Sequence, residues 1–380
     1  MMKKVYLDNA STTAIHPEVI QEMTHVMAEN YGNPSSTHAI GRSAKVVLET
    51  SRKAIASLIN AEAREIIFTS GGTEANNWII RSAVKDLKVQ RIISSRTEHH
   101  SVLNTVEAIS AEYGVAVDYV RLLPSGAADL THLVDLLSDN MPTLVSLMHV
   151  NNETGAILGI ARAGRICRQA GALFHTDAVQ SVGKERFDMQ DLPVDFLVAS
   201  AHKFHGPKGV GFAFVRKNTA LRPMLYGGEQ EKGQRAGTEA VHQVAGMAKA
   251  MQLSYGTLEK DRAHITSLKN YLVEQLAIHQ PGFKINGHTN GDGTGLFYNI
   301  INVLLPMGED KTSMILFHLD MKGIAVSRGS ACQSGSIKPS HVLKELLPAD
   351  EIGKPSLRIS FSHYNDREDI DLLIEALKSV

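Results

Sequence analysis

Only two cysteines, Cys167 and Cys332, occur in 380 residues, so neither a disulfide framework nor a four-cysteine zinc site is available. No apolar run approaches the ~20 residues that a membrane span needs; Phe196–Ala201 is typical of the longest. An excess of one charge is missing too, since 39 Lys+Arg stand against 40 Asp+Glu for a net charge of −1. A large basic field is thereby excluded, and no direct nucleic-acid partner is expected. Repeats, low-complexity tracts and charge blocks are absent. After Met1-Met2-Lys3-Lys4 the chain goes straight into Val5-Tyr6-Leu7-Asp8. No h-region follows the lysines, so neither a signal peptide nor a membrane attachment is expected. A reducing cytoplasm is the expected compartment.

What is present is ordinary globular material, 43% hydrophobic and 21% charged, in a chain too long for one simple core. Short apolar runs read as strands at Glu65–Thr69, Arg91–Ser95, Val115–Leu122, Thr143–Val150, Ala172–His175, Phe196–Ser200 and Gly209–Arg216. Segments of helical spacing, such as Glu74–Val84 and Ala161–Ala170, lie between them. Near-continuous apolar strands alternating with helices predict an α/β fold, its mostly parallel sheet covered by helices on both faces. Beyond residue 240 the texture changes. A long helical stretch, Val241–Ile278, breaks near Gly256, and shorter strands and helices follow, as in a smaller α+β domain. The expected division is a large domain over 14–255 and a small one over 256–380, joined by the N-terminal segment 1–13.

Three segments carry chemistry. Phe68-Thr69-Ser70-Gly71-Gly72-Thr73-Glu74 reads as strand, glycine turn and helix start. Free N–H groups and a hydroxyl there suit a phosphate, although an ordinary strand-to-helix turn reads the same way. Asp177 ends an apolar strand, either as a helix cap or as a carboxylate for a protonated ring nitrogen. Lys203, in Ser200-Ala201-His202-Lys203, ends another buried strand. It is either a lysine that snorkels to water or one fit for Schiff-base chemistry. A zinc reading of His202 and His205 lacks acidic or cysteine ligands nearby. Taken together, a phosphate cradle, a carboxylate and a Schiff-base lysine are what pyridoxal 5'-phosphate requires. An imidazole of Glu98-His99-His100, after a further strand, is placed either to stack on its ring or to serve the core.

Along nearly its whole length the sequence resembles the cysteine desulfurases of the NifS/IscS type, in the class-V aminotransferase group of fold-type I enzymes. The matching segments include Tyr6 to Thr13, Gly32-Asn33-Pro34-Ser35-Ser36, Gly71-Gly72-Thr73-Glu74 and His149 to Gly155. They continue through Asp177 to Gln180, Ser200 to Lys203, Arg235 to Thr238, and Gly329-Ser330-Ala331-Cys332. The resemblance implies Lys203 as the Schiff-base lysine, Asp177 at the pyridine nitrogen and His99 over the ring. It implies Asn152 and Gln180 at the ring substituents, and Gly72, Thr73, Ser200 and His202 on the phosphate side. Thr238 is implied to reach the phosphate site of a neighbouring subunit in a homodimer. Arg358, assisted by Asn33, is implied to bind the substrate carboxylate. Cys332, in a loop of Gly and Ser, is the implied nucleophile that takes sulfur from L-cysteine, leaves L-alanine and carries a persulfide. An iron–sulfur scaffold as sulfur acceptor, and a transient iron–sulfur cluster at Cys332 shared with it, belong to the same expectation. Cys167 is expected to be packing.

Ser11 and Ala236 depart from the usual Ala and Ser, Glu229 from a frequent glycine, and His363 stands near a usual arginine. Val380 follows soon after the last helix, where longer relatives have a tail that helps dock the scaffold. Arg328 replaces a small residue four positions before Cys332, where a guanidinium stabilises a thiolate or contacts cofactor, substrate, partner subunit or water. Alternatives to the desulfurase are a selenocysteine or cysteine-sulfinate lyase on the same scaffold, and a sulfur-relay scaffold without catalysis.

Overall fold

A computed structural model describes residues 3–219, 221–287, 295–329 and 340–380. Cys332 and the rest of 330–339 lie outside the described residues, as do 288–294 of the Gly/Asn/Thr-rich stretch.

Strand β1 (Val5–Tyr6) precedes α1 (Pro17–Glu29), which starts on a proline at its first position and a His16 ring that accepts from Glu18 N. The next helix, α2 (Ala39–Leu58), is not among the elements expected from the sequence. Its buried face runs Gly41, Ala44, Leu48, Ser51, Arg52, Ile55 and Ala56. That is helical spacing, but two polar residues in the middle interrupt the apolar stripe. Arg52 is buried because it pairs with Glu231 at 2.6 and 2.7 Å and lies over the Phe68 ring. Glu231 also accepts from Phe68 N. The loop that leads to Thr238 is thus tied to α2 and to the strand beneath the glycine turn.

Then follow β2 (Ile66–Thr69), α3 (Gly72–Lys85), β3 (Arg91–Ser94), α4 (His100–Tyr113), β4 (Ala116–Tyr119), α5 (Leu130–Leu136) and β5 (Thr143–Ser146). After them come α6 (Ile160–Gln169), β6 (Leu173–Asp177), β7 (Phe196–Ser200) and β8 (Gly211–Val215). Among the described residues these strands form one seven-stranded sheet, ordered β2-β8-β7-β6-β5-β3-β4. The pairs β3·β4, β3·β5, β5·β6 and β6·β7 are parallel, and β8 runs antiparallel to both its neighbours. The short link between β7 and β8 explains the exception, because a parallel crossover takes a dozen residues or more. The sheet is mostly parallel, as its buried apolar strands predict.

Helices α7 (Val241–Gly256) and α8 (Leu258–His279) meet at the predicted break. Beyond them β9 (Lys284–Ile285), β10 (Ile300–Leu304), α9 (Ile315–Met321), β11 (Ile324–Ala325), α10 (His341–Leu346), β12 (Ser356–Ser360) and α11 (Arg367–Leu377) complete the chain. A second sheet, β12-β10-β9, is antiparallel, and β1 pairs in parallel with β11. Val5 and Leu7 pack into the core around this sheet with Leu268, Leu272, Val303 and Leu357. The large sheet has its own clusters on its two faces. No helix among the described residues is long and apolar enough to cross a membrane.

The carboxyl ends of β2, β5, β6 and β7 open on one edge of the large sheet. In an α/β sheet ligands bind at such an edge. Here the segment after β1 and strand β12 cross over it: Asp8 bridges to Ser360, and Ser327 to Arg358.

Candidate active site

A cavity of about 240 Å³ lies at this edge, lined by Gly72, Thr73, His99, Asn152, Asp177, Gln180, Ser200, His202, Lys203 and Arg358, with Ala10 and Ser11 from the N-terminal segment. The strand-to-helix turn comes closest to the sheet. Gly71 has φ 148°, which disfavours a side chain, and a Cβ on Gly72 would sit 2.7 Å from Val179 Cγ2. Glycine here lets the N-terminus of α3, with its free N–H groups, form the cavity wall.

Asp177 is fixed by two donors, Asn76 Nδ2 at 2.8 Å and Val179 N at 3.0 Å. Asn76 also donates to Ser101 Oγ, which lies 2.8 Å from His99 Nδ1. Ser101 N donates to the same nitrogen at 3.1 Å. With Nδ1 an acceptor, the neutral ring carries its proton on Nε2. Burial depresses the His99 pKa and favours that neutral form. The Glu98 carboxyl, one residue before His99, is pushed well above its ordinary range by burial; it accepts from Met148 N at 2.8 Å, and among the described residues its Oε2 has no hydrogen-bond partner. Asn76, Ser101 and Glu98 are the parts of this wall to which the sequence reading assigned no role.

Lys203 sits one short turn beyond β7, its Nζ 2.6 Å from Ala10 O and 2.7 Å from Ser11 O. Gln180 Nε2 donates to the same Ala10 carbonyl, while Gln180 Oε1 has no hydrogen-bond partner among the described residues. His202 contacts Thr12 Oγ1 and is pushed down to about 3 by burial and by the charges of Lys203, Lys208 and Lys184. His205 turns away to Ala14 O, so the two histidines do not face one ligand. Arg358 is 1% exposed. Its guanidinium donates to Asn152 O at 2.9 Å, Asp8 Oδ1 at 2.8 Å and Ser11 Oγ at 2.5 Å. Ser11, a departure in the sequence, is therefore a ligand of this arginine.

Two residues named from the sequence lie elsewhere. Asn33 and Thr238 line a separate surface pocket of about 350 Å³ with Val26 and Tyr31, and Asn33 accepts from Ser35 N. Within one chain Asn33 is not brought to Arg358. Arg328 is about half-buried, burial lowers its pKa, and its Nε has no hydrogen-bond partner among the described residues. Cys167 is fully buried in the core, where burial drives its thiol up to about 12.

Histidine burial has a consequence for stability. His175 and His149 are both pushed down to about 4 by burial. Unfolded, each takes up a proton near pH 6.5, so between that pH and about 4 the unfolded chain holds more protons. Their contribution is complete above the unfolded value and is lost as pH falls. The urea midpoint is expected to drop from pH 7 to pH 5. An equal midpoint at both would show that these rings are not neutral in the fold.

The donor set fits a phosphorylated, aromatic, amine-reactive group. A glycine cradle that a Cβ would fill stands at one end, a buried carboxylate held by two donors on the floor, and a lysine amine on the wall. Residues 5–373 match the aminotransferase class-V family. Cysteine desulfurase IscS of Pseudoalteromonas translucida is 39% identical over 386 residues, taking in 100% of this chain and 93% of that one. The protein of the same name from Methanosarcina thermophila is 39% identical over 381 residues, covering 100% of this chain and 92% of its own. Among solved structures, a NifS-like protein superposes with a TM-score of 0.90 at 34% identity over 99% of each chain. SspA in complex with cysteine superposes at 0.80 and 29% identity, over 95% of this chain and 100% of that one.

Proposed function

The chain belongs to the class-V aminotransferase family, as a cysteine desulfurase of the IscS and NifS kind, and from that premise we propose how its residues divide the work. The reaction converts L-cysteine and an enzyme thiol to L-alanine and an enzyme persulfide. The family works with pyridoxal 5'-phosphate, which when bound offers a carbonyl carbon to an amine and a ring that accepts electrons from the substrate carbon. Gly72, Thr73, Ser200 and His202 would hold its phosphate, and Asp177 would face its ring nitrogen. The observation that carries this reading is Asp177 at the end of β6 and Lys203 one short turn beyond the adjacent parallel β7, lining one cavity with the buried Arg358.

Arg358 receives the cysteine carboxylate; its charge is held by Asp8 and its orientation by Asn152 O and Ser11, which a bidentate contact needs. Lys203 Nζ, released from the Ala10 and Ser11 carbonyls, removes the proton from the substrate Cα and returns one to the product. The neutral His99 ring covers the cavity with Nε2–H as donor. Cys332 is the nucleophile: its thiolate bonds to the substrate sulfur as the carbon–sulfur bond breaks, and the electron pair stays with the carbon skeleton that becomes alanine. A sulfur-acceptor protein, such as an iron–sulfur scaffold, then takes the outer sulfur, and a transient cluster at Cys332 belongs to the same proposal. A homodimer is supported by Thr238 and Asn33. Both lie outside their own chain's cavity, so they act at a site only if a second copy supplies it.

Incubation with L-cysteine and a thiol reductant is expected to release alanine and sulfide in equal amounts. Release of selenide from selenocysteine, with cysteine left intact, would refute the reading.

A further inference from the structure

We propose that Arg235 neutralises Glu74 and thereby leaves the N-terminus of α3 to the cofactor phosphate, an inference that rests on the phosphate cradle of the proposed function. Helix α3 begins Gly72-Thr73-Glu74, and no side chain caps its first turn, because the N-cap is Gly71. Such an end attracts an anion through its unmet N–H groups and the helix dipole. Two anions compete for it. One is the phosphate that Gly72 and Thr73 would hold at the cavity wall; the other is the Glu74 carboxylate, which belongs to the helix's own first turn.

Other donors hold Glu74. Its Oε2 accepts from Ser70 N at 2.8 Å, one residue before the N-cap. Arg235 Nε donates to Glu74 Oε1 at 2.9 Å, and Arg235 Nη2 to Oε2 at 3.2 Å. Burial raises the Glu74 pKa, but Arg235 and Ser70 outweigh it and bring the carboxyl below its ordinary value. Glu74 therefore carries a full charge at neutral pH, matched by that of Arg235. The arginine is fixed in turn by its own loop. Four residues earlier Glu231 accepts from Phe68 N and pairs with the buried Arg52. The loop thus grips the strand before the glycine turn through Glu231 and the helix after it through Arg235.

Positive charge is scarce on the phosphate side of the cavity. Thr73 and Ser200 offer neutral hydroxyls. His202 is pushed down to about 3 by burial and by the charges of Lys203, Lys208 and Lys184, so its ring is neutral. The Lys203 amine is assigned to the carbonyl carbon of the cofactor. What remains for the phosphate is a set of dipoles, which an unbalanced carboxylate readily offsets. Glu74 is one residue beyond Thr73, within roughly a helical turn of it. At that separation a like charge weakens a phosphate by about tenfold or more, even at the dielectric of water. Arg235 cancels this repulsion.

The test measures how tightly the full chain, stripped of cofactor, rebinds pyridoxal 5'-phosphate and pyridoxal, which lacks the phosphate. The readout is the absorbance of the Lys203 adduct. Arg235→Ala is expected to weaken pyridoxal 5'-phosphate about tenfold and to leave pyridoxal within about twofold of wild type. Arg235→Lys keeps the charge, and Arg235→Ala combined with Glu74→Gln removes both charges. These two are expected to stay within about threefold of wild type for the phosphorylated form. Glu74→Gln alone is expected to bind it as tightly as wild type or more so. An Arg235→Ala affinity within about twofold of wild type would overturn the inference. So would a double variant as weak as Arg235→Ala, or an equal loss for pyridoxal, since either marks a loop that has merely lost its tie. Should Arg235→Ala fail to fold, Glu74→Gln decides alone: a loss of about tenfold there would make the pair a structural tie. Equal affinity of the wild type for the two forms would instead take the phosphate out of the cradle and overturn that part of the proposed function.

Discussion

Lys203→Ala is expected to lose at least about 10³-fold in cysteine turnover, the size of effect seen when a general base and covalent anchor are removed together. Lys203 is the only lysine among the described residues lining the cavity. The nearest substitute by charge is Lys184, whose pKa is pushed down to about 7 by burial and by Lys203. A neutral amine is chemically competent, yet Lys184 donates to Gln180 O and lines a different cavity, behind Thr13 and Phe204. Rescue through it would require the Gln180 wall to move. Borohydride treatment of the wild type is expected to fix the cofactor to Lys203, and Lys203→Ala should lose bound cofactor on dialysis faster than wild type. Cofactor fixed to Lys184, or turnover within about tenfold of wild type in the variant, would remove Lys203 from its role.

Much of this site could be read before any coordinates. Asp177 and Lys203 stand at the ends of apolar strands, where a charge without a purpose is costly, and the glycine turn precedes an evident helix. What escaped was whatever depends on which distant residues meet. Asn76 reads as one polar residue on a helix; its partner Asp177 is 101 residues away, and only the crossing of α3 over β6 brings them together. The same holds for Asp8 and Ser11, which meet Arg358 across about 350 residues. Helix α2 escaped because Ser51 and Arg52 sit in its apolar stripe, and the buried charge of Arg52 is met chiefly by Glu231, 179 residues on. Periodicity reports which face of an element is buried, not what it is buried against.

Cys332→Ala is expected to separate cysteine binding from sulfur transfer. Arg358, Asp177 and Lys203 are untouched by it, so addition of L-cysteine should still change the cofactor absorbance. Persulfide should be absent and alanine release should fall by about 10³-fold, as expected for loss of a nucleophile with no neighbour able to replace it. Cys167 cannot take over. It is 0% exposed in the core of the large sheet, and its thiol is pushed up to about 12, so almost no thiolate exists at neutral pH. Its helix would also have to leave the sheet before the sulfur could reach a substrate on the far edge. Arg328, four residues before Cys332, allows a finer reading of the same thiol. Burial already lowers the Arg328 pKa, and among the described residues its Nε has no hydrogen-bond partner. If that charge stabilises the thiolate, the alkylation midpoint of Cys332 moves to higher pH in Arg328→Ala while cysteine binding is retained. Persulfide recovered on Cys167, or alanine released at the wild-type rate without Cys332, would show that another group attacks the substrate sulfur.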